Sequence, residues 1–212
     1  MVRGELEERS YHHGNLREAL VEAGVELARS GGPGAVLLRA VSRQAGVSHN
    51  AAYRHFANQE DLLAAVGERC MTRLGELMVE RSAQVAARGP VRRARARLEA
   101  IGRAYIDFAR TEPGWFRTAF SSARHDAEGP AADSSAGSAE TNPYLILGAR
   151  LDELVEVGAL TPERRRGAEF AAWSAVHGLS SLLLDGPLRD LPEAQIEPAI
   201  GVVLGVVNRG LE

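Results

Sequence analysis

Apolar residues recur every three or four positions along most of this chain, and nowhere do they alternate convincingly with polar ones. A period near 3.6 marks helices with one buried stripe, whereas a period of two would mark strands. The first stripe is Leu16, Leu20, Ala23 and Leu27. Asn15, with Glu18 three positions on, offers the reciprocal capping pattern for its start. Gly31-Gly32-Pro33-Gly34 stops it. A short helix is expected at 37–44, with Leu38, Val41 and Ala45 inward. Ala45-Gly46-Val47 reads as a tight turn, and Ser48 as the N-cap of a third short helix at 48–54. A long helix follows at 59–87 through Leu62, Val66, Cys70, Leu74 and Met78, and Gly89-Pro90 ends it. The next spans 91–111, and a shorter one starts at Pro113. Helices resume at 143–158, 162–184 and 193–210, with Pro198 placed in the first turn of the last.

The expectation is an all-α fold of about nine helices. Residues 1–58 form an N-terminal three-helix unit, and residues 59–212 a larger C-terminal helical domain. Residues 122–141, rich in Ala, Ser and Gly, hold little that could pack and read as a mobile connection between helices.

Composition narrows the class. The chain has 212 residues, 45% of them hydrophobic, which is enough to bury a core without metals or disulfides. Cys70 is the single cysteine, so there is no disulfide framework and no cysteine-based zinc site. The start of the chain shows no secretory signal, and no run of about 18 apolar residues could span a membrane. A bacterial cytoplasmic, nucleoid-associated setting is expected, with no membrane partner. No G-x-S-x-G, no phosphate-binding Gly loop and no metal-spaced His/Glu/Cys set occurs. No enzyme activity, catalytic residue, metal or cofactor is therefore expected.

The net charge of −3 hides an uneven distribution. All 25 basic residues are arginine. From Asp126 onward there are fourteen acids against six arginines. Between Glu26 and Glu60 no acid occurs, while Arg29, Arg39, Arg43 and Arg54 do. Such a stretch can face phosphate even in an acidic protein. A second arginine cluster, Arg88, Arg92, Arg93, Arg95 and Arg97, reads as a solvated face paired in part with Glu99.

Leu38 to Phe56 has the layout of a helix-turn-helix, two short helices around a Gly-containing turn. Its residues Ala45-Gly46-Val47-Ser48, then Tyr53, His55 and Phe56, resemble the TetR family of transcriptional regulators. Tyr11-His12-His13-Gly14-Asn15-Leu16-Arg17, Tyr105 to Ala109 with Glu112 to Phe116, and Trp173-Ser174-Ala175-Val176-His177-Gly178-Leu179 resemble its subfamily with a WHG-type C-terminal domain. The resemblance implies a DNA-binding regulator. His49, Asn50 and Ala51 fall on base-facing positions. Asn can bond adenine in a bidentate way and His can donate to guanine. Tyr53, Arg54 and His55 fall on or beside backbone-contacting positions. Ser48 caps the helix toward a phosphate, and Arg39 reaches a base edge or phosphate. Two positions depart from the family: Gln59 stands where lysine is usual, and Leu37 where Ser or Thr opens the second helix. Both departures weaken non-specific affinity.

The resemblance also implies a C-terminal domain that dimerises and receives a small ligand. Phe170, Trp173, His177 and Ser181 share one helix face beside a small-residue surface containing Ala175 and Gly178. Dimer contacts are expected from Ala175, Gly178, Ser181 and Leu182, with Ile200, Val203, Leu204 and Val207 on the last helix, giving a four-helix interface. Candidate pocket residues are Leu74, Met78, Tyr105, Phe108 and Trp115, then Phe116, Phe120, Phe170 and Trp173, with His177 as a polar anchor. The expected partners are a palindromic duplex operator, a second copy of the chain, and a hydrophobic or aromatic effector that releases DNA. The competing expectation is a helical interaction module that has lost or weakened DNA binding.

Overall fold

The structure is a computed structural model that describes residues 3–121 and 140–211, with side chains from Leu16 onward. Among the described residues there are ten helices and no strand: α1 (Arg3–Gly31), α2 (Leu38–Gln44), α3 (His49–Ala52), α4 (Gln59–Ala83), α5 (Pro90–Thr111), α6 (Pro113–Ala119), α7 (Pro143–Glu156), α8 (Pro162–Arg165), α9 (Ala168–Leu184) and α10 (Glu193–Gly210). The all-α expectation holds. Residues 122–139 of the expected connection lie outside the described residues.

The chain divides into two compact units that are not contiguous in sequence. The first holds α1 to α3, α4 up to Cys70, and α6 from Gly114 onward. The second holds the rest of α4, α5, and α7 to α10. These units divide within α4, and α6 joins the first of them.

Three sequence expectations change in detail. Asn15 lies inside α1, which begins at Arg3 rather than capping there. Cap preference is a weak signal when good helix formers such as Leu6, Glu7 and Arg9 stand upstream. The expected helix 162–184 is two helices. The Thr161 hydroxyl accepts from Arg164 N–H to open α8, and Gly167 at φ 75 breaks the run before α9. Pro198 lies in the interior of α10, since Pro192 is already at the N-cap. It is exposed there, so the Ala194 carbonyl it leaves unpaired can turn to water.

In the first unit α1 passes close to α4. A Cβ on Gly24 would stand 2.5 Å from Val66 Cγ2. The Arg69 guanidinium pairs with both Glu18 and Glu22 on α1. Arg17 lies over the Phe56 ring at 5.2 Å, and Phe56 is buried. α6 lies against α1: Trp115 Nε1 donates to the Val25 carbonyl at 2.8 Å, and Arg29 stacks on the indole at 5.0 Å.

In the second unit α5 is the central helix, packed by α7, α9 and α10. Its buried face includes Leu98, Ile101, Tyr105, Ile106 and Phe108. Arginines tie its flanks to its neighbours. Arg97 pairs with Glu153 of α7 at 2.7 Å, Arg103 with Glu197 of α10 at 2.8 Å, and Arg110 with Glu193 at 2.6 Å. Arg95 donates to the Asn208 and Ala159 carbonyls. The expected pairing of this arginine cluster with Glu99 does not form, because Glu99 receives the Asn208 amide and Arg97 turns to α7.

Candidate nucleic-acid interface and ligand cavity

Local chemistry explains the α2–α3 pair. Leu38, Val41 and Ser42 are buried on α2, and the Ser42 hydroxyl donates back to the Leu38 carbonyl at 2.6 Å. Gly46 takes φ 68, a conformation with low steric cost only for glycine, and so lets the chain reverse. Ser48 is the N-cap of α3: its Oγ accepts from Ala51 N–H at 3.2 Å. Ala52 and Phe56 bury the opposite side. After the turn, Asn58 Oδ1 accepts from Asp61 N–H at 2.8 Å, and the Asp61 carboxylate accepts from Ala57 N–H at 3.1 Å. This reciprocal cap starts α4. Asn58 followed three residues later by Asp61 was a legible signal for it. Replacing Ser48 by alanine should cost about 1 kcal/mol of stability. Urea unfolding reads this, and a cost near zero would mean that the cap is not formed.

The packing leaves one polar face. Arg39, Ser48, Asn50 and Arg54 are exposed, Tyr53 is 49% exposed, and His49, Ala51 and His55 are half-buried. The His49 ring meets Tyr53 edge-on at 4.7 Å, and its Nδ1 is buried without a hydrogen-bond partner. Asn50 and Arg54 carry flexible donors at the surface. The two departures are also visible. Leu37 stands at the start of α2 with no side-chain cap, and Gln59 is followed by Glu60 and Asp61 in the first turn of α4.

The second unit holds a partly open cavity of about 30 Å³ among α4, α5, α7, α9 and α10. Of the ten expected pocket residues it brings together three: Met78, Tyr105 and Trp173. Trp115, Phe116 and Phe120 belong to the first unit, where the indole bonds α1 and the two phenyl rings meet at 4.8 Å. Phe170 is 69% exposed. Leu74 and Phe108 are buried in packing outside the cavity wall. His177 stands behind the wall and shares a 2.8 Å hydrogen bond with the Tyr105 hydroxyl. Sequence reasoning missed Leu98, Ile101, Gly102, Val176 and Leu204, because aliphatic core and aliphatic cavity wall share the same periodicity.

Burial pushes the Tyr105 hydroxyl well above the usual phenol range and holds the His177 imidazole below its ordinary value. The unfolded chain therefore protonates His177 at a higher pH than the folded one. The stability tied to this group is complete above about pH 6.5 and falls as the pH drops below that value. Melting curves between neutral and mildly acid pH should show a smaller acid-side loss in His177→Gln than in the wild type. Parallel losses would count against it.

On the expected dimer face the exposed residues differ from those expected. Ile200 and Leu204 are buried within the protomer, and Val207 lines the cavity. Val202 and Val206 face outward instead, 63% and 56% exposed. On α9 the outward stripe is Phe170, Ser174 and Leu182, with Ala175, Gly178 and Ser181 partly exposed beside it. On α10 the inward face is set by packing: Leu204 fills the space over Gly102 of α5.

Residues 20–66 match the sequence profile of bacterial regulatory proteins of the tetR family, and residues 98–203 that of the tetracyclin repressor-like C-terminal domain. No curated protein matches the chain. Among solved structures, one similar fold is a protein of unknown function from Rhodococcus sp. RHA1. It is 27% identical with a TM-score of 0.71, over 95% of this chain and 97% of that one. A TetR family transcription regulator from Marinobacter aquaeolei VT8 is 18% identical with a TM-score of 0.61, over 92% and 97%. A putative tetR family regulator from Shewanella sp. PV-4 is 16% identical with a TM-score of 0.59, over 90% and 97%.

Proposed function

Because the chain belongs to the TetR family of bacterial transcriptional regulators, we propose that it is a ligand-responsive repressor that binds a palindromic operator as a homodimer. The observation that carries the DNA-binding part is the exposed face of α2 and α3. Arg39, Asn50, Tyr53 and Arg54 stand there within a stretch free of acids from 27 to 59. Asn50 reads adenine, His49 and Ala51 lie against neighbouring base edges, and Arg54, Tyr53, His55 and Ser48 hold the backbone. The dimer reading is supported by the apolar stripe of α9 and α10, a surface that a monomer rarely leaves exposed. A two-fold axis there doubles the recognition helix and matches it to two half-sites. The effector reading is supported by the cavity in the second unit. Its ligand favours one arrangement of α4, the helix shared by both units, and so changes half-site spacing. Among the described residues no helix is long and apolar enough to cross a membrane.

Leu37 and Gln59 favour a second reading, a module with weakened DNA binding. Selection of random duplexes by the purified protein decides between them. An enriched palindrome supports the repressor, and no enrichment from folded dimer supports the module. On the selected operator, Asn50→Ala should relax preference at one base pair of each half-site at a cost of about 1–3 kcal/mol. An equal loss on all sequences would remove Asn50 from base reading.

A further inference from the structure

We infer that the effector is an uncharged, compact aromatic or branched aliphatic molecule with at most one neutral hydrogen-bond donor, and that Gly102 sets the largest size admitted. This rests on reading the second unit as the effector-binding part. The cavity wall is hydrocarbon and aromatic on every helix: Met78, Ile101, Tyr105, Trp173, Val176 and Leu204. Among the described residues no arginine lines it. Arg95, Arg97, Arg103 and Arg110 of α5 spend their guanidinium groups on Glu153, on Glu197 and Glu193, and on the Asn208 and Ala159 carbonyls. An anionic head would therefore be desolvated without a cation to meet it. The Tyr105 hydroxyl is already bonded to His177.

Two polar residues reach the wall, Glu99 and Asn208. Glu99 is exposed, so water screens its charge and an ammonium gains little from it. Its Oε2 accepts from Asn208 Nδ2 at 3.5 Å. An ionised carboxylate only accepts, so the amide atom facing it must be the donor. Asn208 Oδ1 is left buried with no partner. A buried acceptor of that kind is satisfied by a hydroxyl or amide donor without any net charge.

The size limit comes from a missing side chain. A Cβ on Gly102 would stand 2.7 Å from Leu204 Cδ2 and 3.5 Å from Val176 Cγ1. Gly102, Leu204 and Val176 are all cavity wall, so one methyl group here would displace the Leu204 end and reshape the cavity. At about 30 Å³ the cavity holds roughly two waters, so a single ring enters only as the flexible ends of Met78 and Leu204 swing aside.

The test is calorimetric titration of the full chain with three molecules of one shape: 4-ethylphenol, 4-ethylbenzoate and 4-ethylbenzylammonium. The phenol is expected to bind, and both charged analogues to bind at least about tenfold more weakly. Gly102→Ala should weaken 4-ethylphenol by about tenfold or more. Leu204→Ala, which enlarges the same space, should admit 2-naphthol more tightly than the wild type does. Asn208→Leu should remove the advantage of 4-ethylphenol over ethylbenzene. A charged analogue binding as well as the phenol overturns the inference, as does the absence of binding by any neutral probe to both wild type and Leu204→Ala. Operator release is read separately with the same probes. Neutral binding without release sinks the effector reading and leaves the cavity's ligand class standing, whereas release by the benzoate alone sinks the ligand class and keeps the repressor.

Discussion

Gly114→Ala is expected to destabilise the protein by about 3 kcal/mol, at the upper end for an added methyl group. The reason is what the methyl would strike. Its Cβ would lie 2.1 Å from the Ala28 carbonyl oxygen and 2.3 Å from that of Arg29. Both are backbone atoms of a helix and cannot turn aside as a side-chain end can. The start of α6 must lift off α1, and the Trp115 Nε1 bond to the Val25 carbonyl goes with it. That leaves a desolvated indole N–H to find a new partner. Gly34→Ala is the control, since a Cβ there meets nothing within 4 Å. Urea unfolding of the two variants side by side measures the effect. A loss below about 1 kcal/mol for Gly114→Ala would mean that α6 does not rest on α1 as described.

The double variant Val202→Glu, Val206→Glu is expected to be a folded monomer. Both positions are mostly exposed, so the carboxylates cost the protomer little. In a two-fold interface each glutamate would face its own copy across an apolar contact, where like charges are desolvated together. Operator affinity should then fall by about 100-fold, because one half-site contact no longer raises the local concentration of the other. Sedimentation velocity reports the assembly, and binding to the selected operator reports the consequence. A variant that stays dimeric with unchanged affinity would remove the α10 stripe from the interface. Phe170→Ser tests the α9 side in the same way.

How much of this was legible depended on the range of the forces involved. The recognition pair was readable because its determinants are local. Gly46 turns the chain, Ser48 caps the next helix, and Phe56 closes the core within a dozen residues. The tertiary address of an aromatic side chain was not readable. Trp115 and Trp173 carry the same signal in sequence, yet one bonds the backbone of α1 and the other walls the cavity. Periodicity reports that a side chain is buried and is silent on its neighbours. The break at Gly167 was present as a single glycine after three arginines, but the apolar run beyond it masked the stop. Ile200 and Leu204 illustrate the same limit on α10. An apolar helix with two candidate faces does not declare which one serves its own core.

The assignment of α6 to the first unit has a bearing on how this protein is made and rearranged. A ribosome releases α1 to α4 first, then the whole of α5, and only afterwards the segment that bonds Val25. The amino-terminal unit therefore lacks the α6 contact with Val25 until the cavity's central helix has been synthesised. The same arrangement bears on recombination. A chimera joined within α4 would graft the recognition helices onto a foreign α6, with a foreign residue at the position of Gly114. Exchange of operator specificity between such proteins should therefore succeed when two separated stretches of chain travel together, and fail when the first travels alone.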